Sequence, residues 1–494
     1  MTRLILILLF TLFATPAFAE MNSGFNSIDT ETYLKDFHRD PKRVMNTPLA
    51  KVDEQGEVVH GYLSPLAEAA TSLEDLIRAK RGAGNSDASD FEVFSSPDKY
   101  SKIEDFLYNP EYIRNLLEME EAGLNQAVLP EPPWSDSFWP MTRGLIARRW
   151  SDPGFPNSKL WIDNYNYYVA NPSPMMPVDQ LSASEKYDLL MGDSAMTLTE
   201  KMWGAGKSHQ EGPAGKVPSW AGLCDGWSPA SIMTPNPKRS VTLTAADGNR
   251  ITFNPSDIKA IASLAWAKSR PTIRQVGKRC TAIHPAEDQH GRVLDPLCFD
   301  VNPATWHIGV VHQIGVEKRG FVFDATYDQQ VWNYPIYSYT YTYFNPQTLR
   351  TSKTMAGSAV RASDFTIDKF KPYRSSESNY IVGVAMDLSY AIPTQPSANP
   401  VRASKFHTVK YVYDLELDAS GNIVGGEWYS NFHPDFIWNL VPDSRPISTG
   451  ERGNELSWDG ESPLPEEIRA AASKSSNYSQ PVSAVLETMI RLAQ

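Results

Sequence analysis

The sequence is poor in several features that would assign it to particular classes of protein. It contains three cysteines in 494 residues and carries a net charge of −12. It has no block of like charges and no repeat at the spacing of solenoid proteins. The acidic balance argues against nucleic acid or an anionic membrane as a partner.

Long apolar runs are equally scarce, and the clearest one lies at the N-terminus. Arg3 precedes an apolar run from Leu4 to Phe13, and Ala17-Phe18-Ala19 places small residues at a cleavage site. The run is too short to span a membrane. We therefore predict a signal peptide over residues 1–19 and a secreted or periplasmic chain, in which disulfide bonds are permitted.

The rest of the chain divides into three predicted regions. Residues 20–133 are loosely patterned, with helices predicted over 72–77 and 110–117, and we interpret them as a latency or support segment. Pro130-Glu-Pro-Pro133 marks the boundary to a denser region over 134–445, and a helical tail follows over 446–494.

Several local patterns predict secondary structure in the dense region and the tail. Ser182 and Glu185 form a capping box that predicts a helix, and Asp247-Gly248 predicts a hairpin. The 13 Trp and 22 Tyr residues are typical of β-rich packing, with a carbohydrate-binding surface as the alternative. Further predictions are a helix from Ser256, two strands over 306–326, a strand over 331–344, a hairpin over 411–428 and a helix from Pro481.

The cysteines separate into a pair and one remaining thiol. Cys280 and Cys298 are close enough in sequence to close one irregular loop by a disulfide bond. Cys224 is then left unpaired, in a Gly-rich turn that precedes a predicted helix. A thiol at a helix N-terminus is favoured as thiolate, which makes Cys224 a candidate nucleophile, the alternative being an inert buried cysteine. Pro229 fits best if that helix begins near Gly226.

A cysteine nucleophile needs a histidine base and a group that orients the histidine. His307 and His312 lie on the predicted strand over 306–314, and Asp324 lies on the next strand. In either hairpin register, His307 shares the face of Asp324 and His312 does not. Two ordinary sheet histidines are the alternative. Asp300 and Asp328 compete with Asp324 for the third role.

Two tryptophans and one backbone amide complete the predicted site. The N–H of Cys224 is a candidate donor to the oxyanion of a tetrahedral intermediate. The indole N–H of Trp220 is a second candidate, although Trp220 fits equally well as a wall of the substrate groove. Trp227 is assigned to the same oxyanion and substrate region.

These segments are also where the chain resembles the transglutaminase elicitor family, the cell-wall transglutaminases of oomycete plant pathogens and their bacterial relatives. Trp220-Ala-Gly-Leu-Cys224-Asp-Gly-Trp227-Ser-Pro-Ala is similar to the family's nucleophile segment W-x-G-x-C-x-G-W-x-P-A. Val331-Trp332-Asn333-Tyr334-Pro335-Ile336 resembles the start of its immunogenic peptide, V-W-N-Q-P-V, with departures at Tyr334 and Ile336. Cys298 to His307 resembles a third family segment, and scattered similarity runs from Trp134 to Trp438.

The resemblance implies an α+β, papain-like core in which a cysteine-bearing helix packs on an antiparallel sheet. It implies a transglutaminase with the triad Cys224, His307 and Asp324, protein glutamine as acyl donor, lysine or small primary amines as acceptors, and calcium dependence. The chemistry itself requires no cofactor, and no metal ligand is assigned. A cysteine hydrolase, either a peptidase or a glutamine deamidase, and a non-catalytic surface-recognition protein are the alternative functions.

Overall fold

The computed structural model describes residues 29–47, 50–52, 58–61, 103–280, 282, 285–325, 331–399 and 402–494. The predicted signal peptide and the predicted helix over 72–77 lie outside the described residues. The described chain mixes α-helices with antiparallel sheet, which confirms the predicted α+β class.

The α-helices are distributed along the described chain. In chain order they are α1 Thr30–Arg39, α2 Pro41–Met45, α3 Ile103–Phe106, α4 Leu116–Glu121, α5 Trp161–Ala170, α6 Ala183–Met191, α7 Thr197–Glu211, α8 Cys224–Met233, α9 Pro255–Ser269, α10 Pro303–Val310, α11 Glu466–Ser476 and α12 Ser483–Leu492.

The strands form one large antiparallel sheet and two small hairpins. They are β1 Ala50–Val52, β2 Val58–Gly61, β3 Gln126–Val128, β4 Val241–Thr244, β5 Arg250–Phe253, β6 Ile273–Gly277, β7 Val322–Asp324, β8 Asn333–Asn345, β9 Arg350–Ser352, β10 Val360–Arg361, β11 Tyr380–Ala391, β12 Phe406–Leu417, β13 Ile423–Trp428 and β14 Phe436–Leu440. The large sheet has the order β13-β12-β11-β8-β7-β14-β6, with β3 and β9 on β8 and β10 on β11, whereas β1-β2 and β4-β5 pair separately.

The long strand β8 shows how the sheet separates core from solvent. Tyr339, Tyr341 and Tyr343 are buried, whereas Thr340 and Thr342 between them are exposed. This alternation has the period of two expected when one face of a strand packs on the core. The hydroxyl of Tyr339 donates to the carbonyl of Leu124 at 2.7 Å, which ties β8 to the turn before β3.

Helix α8, which begins at Cys224, is packed tightly between α9 and β8. At Gly226 an added Cβ would lie 2.0 Å from the carbonyl oxygen of Ser263 and 2.9 Å from the nitrogen of Ala267. Only glycine allows the two helix backbones to approach this closely. This contact fixes how closely α8, and with it Cys224, packs on α9.

Most of the local predictions are confirmed. The capping box at Ser182 and Glu185 is present at the start of α6. The hairpin around Asp247-Gly248 forms β4 and β5. The hairpin over 411–428 forms the paired ends of β12 and β13, and the helices from Ser256 and Pro481 correspond to α9 and α12.

The prediction of a strand over 306–314 is wrong. Asn302 caps a helix by accepting the N–H of Ala304 at 2.9 Å, and Pro303 occupies its first position. Helix α10 follows, continued by a π-helix from Val311 to Val316. His307 and His312 are therefore helical, and the strand-parity argument that favoured His307 fails. The second predicted strand is present as β7.

Two smaller helix predictions also need correction. The helix predicted over 110–117 begins only at Leu116, because Asn115 provides the cap by accepting the N–H groups of Leu117 and Glu118. Helix α8 begins at Cys224, two residues before the predicted start, so Pro229 lies inside it rather than in its first turn.

The N-terminal helices form a second, smaller core. Tyr33, Leu34 and Phe37 of α1, with Val44 and Met45 of α2, are buried against the large sheet and the segments that flank it. Their partners there are Phe344, Phe370, Val412 and Tyr429. The hydroxyl of Tyr33 also donates to the carbonyl of Tyr429 at 2.7 Å.

Candidate active site

Cys224 is the first residue of α8 and is almost buried. The residue is 7% exposed. The N–H of Trp227 donates to the carbonyl of Leu223 at 2.7 Å and so closes the first helical turn. Gly222, just before the helix, allows close approach of Phe138, since an added Cβ would lie 2.6 Å from its ring. The sulfur therefore sits at a helix start in an almost fully buried position.

The sulfur faces the chain segment that leads into β8. The Cys224 thiol donates to the carbonyl of Val331, with 3.6 Å between sulfur and oxygen. The side-chain amide of Asn333 donates to the same sulfur over 3.8 Å. One helical turn later, the hydroxyl of Ser228 donates to the carbonyl of Asn333 at 2.6 Å. The helix is thus hydrogen-bonded to residues 331–333 through two side chains.

Asn333 is itself fixed by a third element. The indole N–H of Trp438, on β14, donates to Oδ1 of Asn333 at 2.8 Å. Because the indole is only a donor, it requires the amide oxygen on its side and leaves the amide N–H₂ to face the sulfur. Sequence reasoning did not single out Asn333, Ser228 or Trp438 as site residues, although Asn333 belongs to the V-W-N segment.

Burial keeps the thiol of Cys224 protonated. Removal from solvent, together with the smaller effect of the neighbouring Asp225 carboxylate, raises the pKa of Cys224 to about 12. The two N–H groups of Asn333 oppose this by lowering the same pKa, but they do not outweigh burial. The expectation that the helix N-terminus makes Cys224 a resting thiolate is therefore wrong for this conformation, and the thiol must lose a proton before or during attack.

Asp324 lies close to Cys224. It is fully buried on β7 and is paired with Asn333 on the neighbouring strand β8. Its Oδ1 accepts the N–H of Trp332 at 2.8 Å. Its carboxylate is near enough to raise the pKa of the Cys224 thiol. The structure thus brings two of the three predicted catalytic residues into one neighbourhood.

His307 lies in a different environment. Its Nδ1 is 2.9 Å from the hydroxyl of Tyr413, and its ring packs edge-on against Tyr341. Burial lowers the pKa of His307 to about 3, and no charged group contributes to that shift. Within the described chain, Nε2 of His307 has no hydrogen-bond partner. In this conformation His307 is therefore hydrogen-bonded to neither Cys224 nor Asp324.

The competing histidine and acids contact residues other than Cys224 or lie outside the described residues. Nε2 of His312 is 3.2 Å from Oε1 of Glu317. The carboxylate of Asp300 is 3.9 Å from Nδ1 of His433, whose ring stacks on Trp428. Asp328 lies outside the described residues.

The two tryptophans of the cysteine segment differ in role. Trp227 is fully buried and its indole N–H donates to the carbonyl of Trp134 at 3.2 Å, so this donor is already used. Trp220 is half-buried and packs against the main core from the loop before α8. Trp332, between the sulfur's partners Val331 and Asn333, packs edge-on against Phe138 with ring centres 5.2 Å apart. Each of the two segments that meet at the sulfur therefore carries aromatic side chains.

The predicted disulfide bond between Cys280 and Cys298 is present, and Cys224 is the free cysteine. No group of three or more His, Cys, Asp or Glu residues in the described part of the chain could hold a metal ion. Asp418 uses its carboxylate to accept the N–H groups of Ser420 and Asn422 in the turn before β13. Over the ranges described above, no helix is both long and apolar enough to cross a membrane.

Comparisons with known proteins agree with the earlier resemblance. A family model described as Transglutaminase elicitor matches residues 103–459, well over half of the chain. Among solved structures, the chain is similar to the GP42 transglutaminase from Phytophthora sojae, with 21% sequence identity and a TM-score of 0.47. That match covers 69% of this chain and 90% of the other. Comparison with curated protein sequences gives no match.

Proposed function

The chain belongs to the transglutaminase elicitor family, and from this premise we propose that it is a protein-glutamine γ-glutamyltransferase with Cys224 as its nucleophile. The observation that carries the proposal is the position of this free cysteine. Cys224 opens a helix, and its sulfur contacts Val331 and Asn333, which belong to the family's V-W-N segment. Two separate family segments thus meet at one sulfur atom.

The proposed reaction has two covalent steps. The sulfur of Cys224 attacks the side-chain carboxamide carbon of a protein glutamine, a thioester forms, and the C–N bond breaks with release of ammonia. The amine of a lysine or of a small molecule then attacks the thioester, forms an amide bond and releases the thiol. The backbone N–H of Cys224, in the first turn of α8, is free of an intrahelical partner by geometry and is suited to bind the oxyanion.

The other two members of the proposed triad differ in how they are supported. Asp324 is buried beside the cysteine and influences its sulfur electrostatically. His307 would have to leave the hydroxyl of Tyr413 before it could take the thiol proton. The proposal therefore retains Asp324 as an acid of the site, and it assigns the proton transfer to His307 only in a conformation in which α10 and α8 have moved together.

We assign catalysis to residues 134–445, arranged as a papain-like core, and regard residues 446–494 as a helical tail. Export of the chain after loss of residues 1–19 is supported by the disulfide bond, which forms in oxidising compartments. The packing of α1 and α2 on the sheet supports the view that residues 20–133 include a support segment.

Calcium does not enter the proposed chemistry. The family resemblance implies calcium dependence, but the described residues provide no group of three or more His, Cys, Asp or Glu that could hold a metal ion. Hard cations of this type take six to eight oxygen ligands. We therefore derive no step through calcium.

Incubation with a glutamine-containing protein and a labelled primary amine tests the transferase proposal. The purified protein is expected to incorporate the label and release ammonia, and Cys224→Ser is expected to do neither. Release of ammonia or peptide fragments without incorporation of the amine would instead establish the cysteine hydrolase. The double variant Cys280→Ser/Cys298→Ser controls for the loss of a cysteine as such.

Surface recognition without catalysis is the second candidate function. The protonated, buried state of Cys224 favours it, because an inert structural cysteine has these properties. A thiol-directed probe separates the two functions. Labelling of native Cys224 that is faster than that of the denatured chain supports catalysis, and labelling that appears only on denaturation supports recognition alone.

A further inference from the structure

The contacts of Asn333 point to a role in the reactivity of Cys224. We propose that Asn333 holds the sulfur of Cys224 in place and stabilises the thiolate once the proton is lost, and that Trp438 is the residue that positions Asn333 for this. The inference rests on the proposed function only in taking Cys224 as the nucleophile.

The strand geometry directs the main chain of Asn333 at the helix. The N–H of Ala325 donates to the carbonyl of Trp332, and the N–H of Ile336 donates to the carbonyl of Phe321. Asn333 stands between these bonds, opposite Asp324, at a position that does not exchange hydrogen bonds with β7. Its own N–H and carbonyl consequently point to the other side, where Cys224 and Ser228 lie.

Two N–H donors of Asn333 therefore meet the sulfur. The side-chain amide is 3.8 Å from the sulfur, and the main-chain N–H acts on the same atom. Hydrogen bonds to an ionised sulfur are stronger than those to a neutral thiol, because the acceptor then carries charge. These donors hence stabilise the thiolate more than the thiol, which is the condition for promoting its formation.

Trp438 determines which end of the amide faces the sulfur. If the amide turned over, its N–H₂ would meet the indole N–H, and its oxygen would meet the sulfur. The bond at 2.8 Å between the indole and Oδ1 excludes that orientation, and Asn333 is only 5% exposed, so water cannot replace the bond. Trp438 thus acts on the sulfur through Asn333.

Alkylation of the native protein by iodoacetamide over a range of pH tests this inference without any enzyme substrate. Asn333→Ala is expected to lower the alkylation rate of Cys224 at pH 8.5 by about tenfold and to shift its pH profile upward. Asn333→Asp keeps the size of the side chain but places a carboxylate beside the sulfur, and it is expected to lower the rate further. Trp438→Phe is expected to lower the rate about threefold while leaving Asn333 in the sequence.

Trp458→Phe is the matched control, since it removes another buried indole donor, the one that binds the carbonyl of Ser462 at 2.9 Å. It is expected to leave the pH profile of Cys224 unchanged. Thermal unfolding shows which variants are folded, and Trp438→Phe and Asn333→Asp decide the question if Asn333→Ala is not. Profiles of these variants that coincide with that of the wild type would overturn the inference. Amine incorporation is measured in parallel, so that failure of the transferase proposal remains distinguishable from failure of this one.

Discussion

Nδ1 of the His307 imidazole is hydrogen-bonded to the hydroxyl of Tyr413 over 2.9 Å, and both side chains are fully buried. Helix α10 thus places the imidazole of His307 in the core, where the hydroxyl of Tyr413 on β12 is the hydrogen-bond partner of its Nδ1. Burial lowers the pKa of His307 to about 3, so the histidine is neutral at physiological pH.

This arrangement predicts a pH-dependent effect of His307→Gln. The pKa of His307 in the folded protein is below its unfolded value of about 6.5, so the unfolded chain binds the proton first. The contribution of neutral His307 to stability is therefore present above pH 6.5 and is lost as the pH falls toward 3. The stability difference between wild type and His307→Gln should shrink by about 2 kcal/mol between pH 7 and pH 5, as measured by urea unfolding.

Tyr413→Phe is the control for this prediction. It removes the hydroxyl but leaves the histidine buried, so its stability difference from the wild type should change much less over the same pH range. A difference for His307→Gln that stays constant from pH 7 to pH 5 would contradict a buried neutral histidine. It would be the result expected if His307 had access to water.

Asp225 should restrain the reactivity of Cys224. Its carboxylate is adjacent to the cysteine and raises the pKa of the thiol. Asp225→Asn removes that charge, so the alkylation rate of Cys224 at pH 8.5 should rise about three- to tenfold. Asp179→Asn, in an exposed 3-10 helix, should have no effect on that rate. An unchanged or lower rate in Asp225→Asn would show that the charge of Asp225 does not reach the sulfur.

Gly226 should be intolerant of any side chain. Gly226→Ala places a Cβ against the carbonyl of Ser263 and should destabilise the protein by about 2–4 kcal/mol. Gly204→Ala, inside α7, is the matched control, because an added Cβ there meets no atom within 4 Å. It should be neutral or stabilising by about 0.5–1 kcal/mol. Chemical denaturation compares the two, and equal effects would contradict the close contact of α8 with α9.

Loss of the disulfide bond should destabilise the protein without changing the site. The double variant Cys280→Ser/Cys298→Ser should lose about 3 kcal/mol of stability, the value expected for a loop of this length. Thermal unfolding with and without a reductant measures this loss, and the reductant should not alter the variant. The rate at which Cys224 is alkylated in the folded variant should remain as in the wild type. A large change in this rate would mean that the loop supports the site.

The parts of the fold that the sequence predicts correctly depend on local signals. The capping box at Ser182 and Glu185 and the turn at Asp247-Gly248 each lie within a few residues of the structure they specify. Propensity and capping act over this range, so one sequence is enough to detect them.

The failure at 306–314 has a physical cause. The segment is rich in β-branched residues, and all of its residues, including His307, His312 and Gln313, are buried, so no alternation of apolar and polar positions reveals a helical period. The decisive signal was Asn302-Pro303, a capping residue followed by proline at the first helical position. The Cys224 site was predicted only in part. Trp438 contacts Asn333, and Tyr413 contacts His307, from strands that are distant in sequence, so no local pattern reveals these contacts.

The bond between Tyr33 and the carbonyl of Tyr429 joins residues 396 positions apart. During synthesis, α1 emerges long before the strands on which it packs. Its apolar face can therefore be buried there only when nearly the whole chain has been made. Contacts of such long range form late, since the entropy of loop closure is lost before they contribute. The small core around α1 therefore forms only after the strands of the large sheet on which it packs have assembled.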